Sequence, residues 1–300
     1  MVAAAGCTSG PDYHVPEHAA ALTPSANHAF LGADQTGISQ APLPDRWWTL
    51  YNDPRLDGYV AEALRANADL RAADANLRRA AALVREAEDS RSVHTDIEAE
   101  ALESRVGGYT LPLPGTPFSY VLGVTATLPL DLAGGLRRGI EEAGAVSEAT
   151  QATRDQVRVV VAAAVARSYA GVCSANWSLA AAQHVVDVQT ETLSAINRNV
   201  RGGRGTSFDA TRARAAVDLS AAALPPLLAD RQRALFELAE LMGRPAAANP
   251  IEAESCATPP SLKQPIPIGD GARLIQRRPD IRAAERQLAA STAGIGVATA

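Results

Sequence analysis

The sequence predicts an α+β chain of long coiled α-helices with one β-hairpin. Three observations point there. Of 300 residues, 47% are hydrophobic but only 4% aromatic, and roughly a fifth are alanine, far above ordinary usage. Alanine is the best helix former yet buries little surface, which suits helices packed close together better than one globular core. Second, apolar residues recur every seven positions over long stretches. Third, that period gives way in one region to a period of two. The net charge of -5, from 28 Lys+Arg and 33 Asp+Glu, argues against nucleic-acid binding. Three cysteines cannot build a disulfide-rich scaffold. The longest unbroken apolar run, Val159 to Ala166, is far short of the roughly 20 residues of a transmembrane helix.

The chain opens Met1-Val2-Ala3-Ala4-Ala5-Gly6-Cys7. Small residues before Gly-Cys look like the end of a lipoprotein signal, with Cys7 the lipidated residue. The basic and apolar signal regions are missing and Ala4 stands where a larger apolar residue is usual. A trimmed or miscalled start and an ordinary cytosolic start both fit these seven residues. Cys173, in a helical stretch, and Cys256, in a Pro-rich one, read as free thiols serving as small apolar side chains. From Thr8 to about Pro44 the chain reads as an extended segment.

Asp53 is a good N-cap, and Pro54 suits the first helical position, where its missing N–H costs nothing. The first helix is expected over 54–90. Leu56, Ala63, Leu70, Leu77 and Val84 form one row, and Tyr59, Ala66, Ala73, Ala80 and Ala87 a second row three residues on. This is an a/d seam with alanine on one side, and five repeats in register favour a coil over an ordinary amphipathic helix.

Strands are expected over 92–106 and 117–131. In the first, Val93, Thr95, Ile97, Ala99 and Ala101 alternate with His94, Asp96, Glu98 and Glu100. Gly107, Gly108, Pro112, Pro114 and Gly115 mark the loop. In the second, Tyr120, Leu122, Val124, Ala126 and Leu128 face one way, and Ser119, Gly123, Thr125 and Thr127 the other. A lone hairpin is marginal in water and needs partners. The pattern fits both a transmembrane β-barrel hairpin and one packed on a soluble core.

Helical character then runs over 135–201 without a breaker, about 65 residues or roughly 100 Å, too long for a globular domain of this size. A turn at 202–206 reverses the chain. Thr206 and Asp209 fit a capping box for a helix over 207–242. In that helix Val217, Leu224 and Leu238 form one row and Leu227, Ala234 and Leu241 another, and Pro225-Pro226 should kink it. A Pro-rich linker follows over 244–277. The two shorter helices together match the long one, so they can stack end to end beside it. Asp69-Leu70-Arg71-Ala72-Ala73 through Leu77 aligns with Asp280-Ile281-Arg282-Ala283-Ala284 through Leu288, so the first helix begins again within 278–300.

Four stretches carry a family resemblance: Cys7 with Gly10-Pro11-Asp12-Tyr13; Trp47-Trp48 through Asn52-Asp53-Pro54-Arg55-Leu56; Leu130-Asp131-Leu132 with Gly134 and Leu136-Arg137; and Arg277-Arg278-Pro279-Asp280-Ile281-Arg282-Ala283-Ala284-Glu285. On these the chain resembles the first part of a TolC-like outer-membrane factor, in the lipoprotein branch with the NodT and OprM-type efflux channels. The resemblance implies an α+β membrane protein. Its long coiled helices would form part of a periplasmic α-barrel, and its β-hairpin would contribute to a trimeric outer-membrane β-barrel. Residues 53–243 would be the first structural repeat, 244–277 an equatorial linker, and 278–300 the start of a truncated second repeat. It further implies a homotrimer anchored by a lipid on Cys7, with no other cofactor and no metal. The partners implied are a periplasmic adaptor, an inner-membrane efflux pump and outer-membrane lipid. By position, Gly203, Gly205, Thr206, Ser207, Phe208 and Asp209 match the family's adaptor-contact tip, although turn and cap chemistry alone also account for them.

The chain departs from the family pattern at Leu128-Pro129, where aromatic and acidic residues are usual, and at Ala133, where an aromatic is usual. The family's tunnel constriction lies largely in its second half, so no gate residues are assigned. Two strands per chain give a trimer six, below the roughly eight of the smallest closed outer-membrane barrels. A basic, apolar signal upstream of Met1 and a second hairpin with its helices beyond Ala300 are therefore expected.

No catalytic motif is visible. His14, His18, His28, His94 and His184 are scattered. Glu98, Glu100 and Glu103 read more simply as a solvated or lumen-facing acidic row than as an acid/base pair. The function expected is a passive, non-enzymatic conduit of a tripartite efflux or export system. A periplasmic adaptor-like coiled-coil hairpin is the alternative, although no flanking lipoyl-type β domain is visible. An Ala-rich soluble enzyme is disfavoured by the long helix.

Overall fold

The computed structural model describes residues 9–103, 118–248 and 250–300. Two compact units are resolved. One comprises residues up to Val15, Leu77–Gln151 and Ala283–Ala300. The other comprises Pro16–Asn76 and Ala152–Arg282. The helices are α1 (Pro54–Ala66), α2 (Ala68–Asp89), α3 (Gly135–Arg201), α4 (Ser207–Ala221), α5 (Leu224–Leu241), α6 (Ile251–Glu254), α7 (Gly271–Arg277) and α8 (Pro279–Thr299). The strands are β1 (Ile38–Ser39), β2 (His94–Glu103), β3 (Phe118–Thr127) and β4 (Ile266–Pro267). Helices α2, α3 and α8 contribute residues to both units.

In the larger unit, α1, the middle of α3 and the end of α5 enclose the core. Leu56, Val60 and Ala63 meet Val161, Val165, Tyr169 and Val172, and Leu235, Leu238 and Met242 close the third side. By length and composition α3 is apolar enough to cross a membrane. Its buried valines are instead accounted for by this core. All ten residues of the two heptad rows over α1 and α2 are buried or half-buried, while most charged positions between them are exposed, Asp57, Glu62 and Asp74 being half-buried. That is the geometry of a seam with small residues on one side.

The start of α1 is built as its residue types dictate. A helical turn, Trp47–Tyr51, buries Trp48 and ends at Asn52 in the left-handed region with φ 50°. Asp53 then caps α1, its Oδ1 accepting from the Arg55 amide at 2.9 Å and the Leu56 amide at 3.4 Å. The other carboxylate oxygen accepts from Tyr169 Oη of α3 at 2.8 Å. Burial first, and then the bond to Asp53, push the Tyr169 phenol above its ordinary value.

One continuous helix over 54–90 is corrected. The backbone leaves the helical region at Asn67 (φ -58°, ψ 135°). Asn67 Oδ1 accepts from the Leu70 amide at 3.1 Å, which makes it the N-cap of α2, and its Nδ2 donates to the Leu241 carbonyl at 3.0 Å. The last turn of α5 has carbonyls without helical partners, and Asn67 supplies one donor. Gly243 passes close by: a Cβ on it would sit 2.7 Å from the Ala66 carbonyl oxygen. The ends of the two shorter helices therefore meet beside α3. Glu62 and Arg244 form a two-pronged ion pair here, 2.6 Å at each contact. The Arg244 hydrogen bonds hold the Glu62 carboxyl below its usual range.

The same break recurs one repeat later. Arg278, between α7 and α8, has φ -65° and ψ 117°. Arg278 and Asn67 are equivalent in the internal alignment that pairs Asp280 with Asp69. The restarted helix is thus α2, reappearing as α8, and the short α7 stands where α1 stood.

The free-thiol reading of Cys173 and Cys256 is also corrected. They form a disulfide with Cα atoms 4.9 Å apart across 83 residues of sequence. It ties mid-α3 to the segment after α6, where Asn176 Nδ2 also donates to the Glu254 and Cys256 carbonyls at 3.0 and 2.9 Å. The bridge suits a chain that folds in an oxidising compartment. The expected kink at Pro225-Pro226 is a two-residue interruption. Helix α4 ends at Ala221 and α5 restarts at Leu224 with the prolines in its first turn, where no N–H is needed. Strand β1 pairs in parallel with β4, tying the N-terminal segment to the Pro-rich linker.

The smaller unit holds the hairpin. Strands β2 and β3 are antiparallel, pairing Thr95 with Ala126, Ile97 with Val124, Ala99 with Leu122 and Ala101 with Tyr120. The alternate pairs are Asp96–Thr125, Glu98–Gly123 and Glu100–Val121. One face is thus mainly apolar and the other mainly acidic, as the alternation predicts, although Val121 and, by register, Leu102 fall on the acidic side. Pairing ends at Thr127 rather than at residue 131, because Pro129 has no N–H for the ladder. The expected loop glycines and prolines and the outer strand ends, 104–106 and 117, lie outside the described residues, as does the side chain of Glu103. Ala145 of α3 packs with Ala289 and Ala290 of α8, with Tyr13 against them.

Candidate functional site

The residues expected to meet a partner lie where α3 turns into α4. The last turn of α3 closes with the Gly203 amide donating to the Val200 carbonyl at 3.0 Å and the Arg204 amide to the Asn199 carbonyl at 2.9 Å. This pair of bonds is a Schellman motif, and it places Gly203 in the left-handed region at φ 71°. Gly205 serves a different need: a Cβ there would lie 3.2 Å from Val200 Cγ2.

Thr206 caps α4 in a reciprocal box. The Asp209 amide donates to Thr206 Oγ1 at 3.3 Å, and the Thr206 amide donates to Asp209 Oδ2 at 3.0 Å. The Thr206 hydroxyl also donates to Asp209 Oδ2 at 2.6 Å. These bonds, the hydroxyl's first, hold the Asp209 carboxyl below its usual range. A carboxyl depressed in the folded state stabilises above its unfolded pKa and stops doing so as pH falls through the folded value. Protection of the Asp209 and Ala210 amides, taken relative to the intrinsic exchange rate at each pH, is therefore expected to fall on acidification below the carboxylate range. Thr206→Ala should weaken the cap by about 1 kcal/mol at neutral pH, accelerating the same amides roughly fivefold. Unchanged protection in both cases would show that the box does not hold the turn.

The turn thus fixes Phe208, 72% exposed, beside the exposed Arg201, Arg204 and Ser207. A rigid reversal presenting one aromatic ring amid charges is suited to protein contact, since aromatic anchors dominate such interfaces. The five histidines are all exposed.

The acidic hairpin face is a second candidate. Asp96, Glu98 and Glu100 are exposed on one side, and Ile97, Tyr120, Leu122 and Val124 on the other. Cys7 lies outside the described residues. The segment after it is gripped by Arg138, whose side chain is only 4% exposed and pairs with Asp12 and Glu141 at 2.7 Å each. Its Nε donates to the Ser9 carbonyl at 2.9 Å. Nothing in the heptad or strand patterns singles out Arg138, because Ser9 and Asp12 are remote in sequence and only Glu141 is near. Asp131 was legible only as part of a motif. It caps α3, its two oxygens accepting from the Leu136 and Arg137 amides at 3.0 Å each.

Comparison with known proteins places this geometry. Nodulation protein T of Rhizobium leguminosarum bv. trifolii is 29% identical over 295 residues, covering 98% of this chain and 62% of its own. The pyoverdine export outer membrane protein OpmQ of Pseudomonas putida is 29% identical over 274 residues, covering 88% of this chain and 58% of its own. The chain therefore spans about 60% of the length of these relatives. The solved outer-membrane channel OprN superposes with a TM-score of 0.85 at 33% identity, over 98% of this chain and 64% of that one. The structure of CusC shares the fold, with a TM-score of 0.75 at 23% identity. Residues 59–244, more than half of the chain, match the model of the outer membrane efflux protein family, and the chain belongs to that family.

Proposed function

We propose that this chain supplies one structural repeat of a trimeric outer-membrane channel, the passive exit conduit of a tripartite efflux or export system. The observation that supports it best is the β2–β3 register. It puts Ile97, Ala99 and Ala101 of β2 on one exposed face and Asp96, Glu98 and Glu100 on the other. In water an exposed apolar sheet face is a liability, whereas in a barrel wall it faces lipid and its reverse faces a wet lumen. OpmQ is described as a pyoverdine export protein, and export through a lumen of this kind is the activity we extend to this chain. Two strands per protomer do not close a barrel, so the proposed wall needs a second hairpin, from the repeat that begins at α8. Cys7 carries the lipid anchor in this reading, and no further cofactor is involved.

The tip from Gly203 to Asp209 is proposed to dock a periplasmic adaptor, which links the channel to an inner-membrane pump. Phe208→Ala is expected to reduce adaptor binding at least tenfold, the loss typical of a central aromatic anchor, while leaving trimer yield unchanged. Titration of immobilised adaptor with the detergent-solubilised protein measures this, and equal affinity of the two forms would remove Phe208 from the interface. The channel reading itself is tested by fractionating cells that express the gene product. Recovery in the outer membrane as a trimer is expected, and recovery as a soluble periplasmic monomer would favour the adaptor-like alternative.

A further inference from the structure

The apolar exposure of the hairpin does not stop where its pairing stops. After Thr127 the chain runs through Leu128-Pro129-Leu130-Asp131-Leu132 before α3 begins. The even-numbered side chains stay out, Leu128 at 55%, Leu130 at 72% and Leu132 at 84% exposure. Pro129, Asp131 and Ala133 are half-buried. This continues the parity of Tyr120, Leu122, Val124 and Ala126, the apolar row of β3. A turn closed by the Leu132 amide on the Leu130 carbonyl at 3.1 Å keeps the last two leucines together. The one charge within this stretch, Asp131 between Leu130 and Leu132, is turned inward to cap α3 and pairs with Arg137 at 3.5 Å.

The same place holds the N-terminal segment. The Ser9 amide donates to the Ala133 carbonyl at 3.0 Å. Arg138 grips the segment from the other side through the carbonyls of Ser9 and Gly10, at 2.9 and 3.3 Å, and the Asp12 carboxylate at 2.7 Å. Gly10 and Gly296 of α8 come so close that a Cβ on Gly10 would lie 2.5 Å from the Gly296 Cα. Residue 9 is therefore held beside Ala133, the residue that follows the last of the three leucines.

We propose that Leu128, Leu130 and Leu132 form a strap that contacts the acyl region of the membrane's inner leaflet, and that Arg138 positions the N-terminal segment at that level. The lipid boundary then falls at the Asp131–Arg137 pair. The inference rests on the reading of the hairpin as a membrane strand. Its occupant is lipid because the strap is continuous with the hairpin's apolar face, its one carboxylate is turned inward, and exposed charge resumes only at Arg137.

Nitroxide labels placed through Leu122→Cys, Leu130→Cys, Leu132→Cys and Gln151→Cys, one at a time in the full chain reconstituted in phospholipid vesicles, test it. All four positions are exposed, so the label displaces no core. Labels at 122, 130 and 132 are expected to relax faster with oxygen than with a water-soluble nickel chelate, and the label at 151 the reverse. Lipid access at 122 with nickel access at 130 and 132 would overturn the strap alone. Loss of access to both reagents at 130 and 132 would show a neighbouring protomer there and overturn it equally. Nickel access at 122 as well would overturn the membrane hairpin and the strap together. On the unsubstituted protein, a photoreactive acyl-chain lipid should leave adducts on Leu128, Leu130 or Leu132, and their absence beside adducts on β3 counts against the strap.

Discussion

Replacing both Cys173 and Cys256 by alanine is expected to lower the unfolding free energy by about 4.5 kcal/mol, the loop-closure value for the 83-residue separation of the bridge. The loop it closes contains the second half of α3, the tip, α4 and α5. Within that loop α5 is anchored in the core by Leu235, Leu238 and Met242, whereas α4 is held loosely. Helix α4 buries no residue, and Leu219 and Phe208 are exposed. The cross-link therefore removes freedom from a long unfolded loop in which the tip and α4 have little core of their own. Asn176 holds the segment around Cys256 through two hydrogen bonds, so the native position survives the substitution and the loss falls mainly on the unfolded side. Denaturant titration of the oxidised protein, the reduced protein and the double variant checks this. The reduced and substituted forms should unfold together, well before the oxidised one. Coincidence of all three curves would show that the bridge contributes no stability.

The second large effect is on the hairpin. Leu122→Arg puts a charge on the apolar face, opposite Ala99, at an expected cost of about 2–4 kcal/mol per protomer if that face meets the bilayer midplane. Three copies would carry it in a trimer, enough to abolish outer-membrane assembly. Glu98→Arg changes the charge by more, yet lies on the opposite face, where Gly123 is its partner. It is expected to assemble normally and to alter which ions pass. Outer-membrane fractionation and single-channel current in planar bilayers separate the two. Normal assembly of Leu122→Arg with failure of Glu98→Arg would reverse the assignment of faces.

Both predictions show how differently the two features could be read. The hairpin faces were legible because strand side chains alternate with a period of two, so residue parity alone sorts Ile97 and Leu122 from Glu98. The disulfide was not, because 83 residues of intervening sequence carry no signal of where the chain returns. The break at Asn67 was half-legible. Asn is a favoured N-cap, but the heptad rows continue through it without a phase change, and apolar periodicity reports which face is buried rather than whether the helix is continuous. At the tip, Thr206 and Asp209 were legible as a capping box because its partners are three residues apart, and Gly203 because left-handed backbone favours glycine. Phe208 was placed there by family resemblance, and its exposure came from the structure.

By itself the sequence determined what depends on neighbours: the seam of α1 and α2, the long run of α3, the two faces of the hairpin and the reversal before α4. These follow from local periodicity and from donors and acceptors a few residues apart. Only the tertiary structure decided the Cys173–Cys256 bridge, the Asn67 contact with the end of α5, the Glu62–Arg244 pair and the grip of Arg138 on residues 9–12. Each joins groups more than 80 residues apart. Which distant partner a polar side chain or thiol finds is set by how the helices stack, and helix stacking is fixed by packing of the whole seam rather than by any one residue.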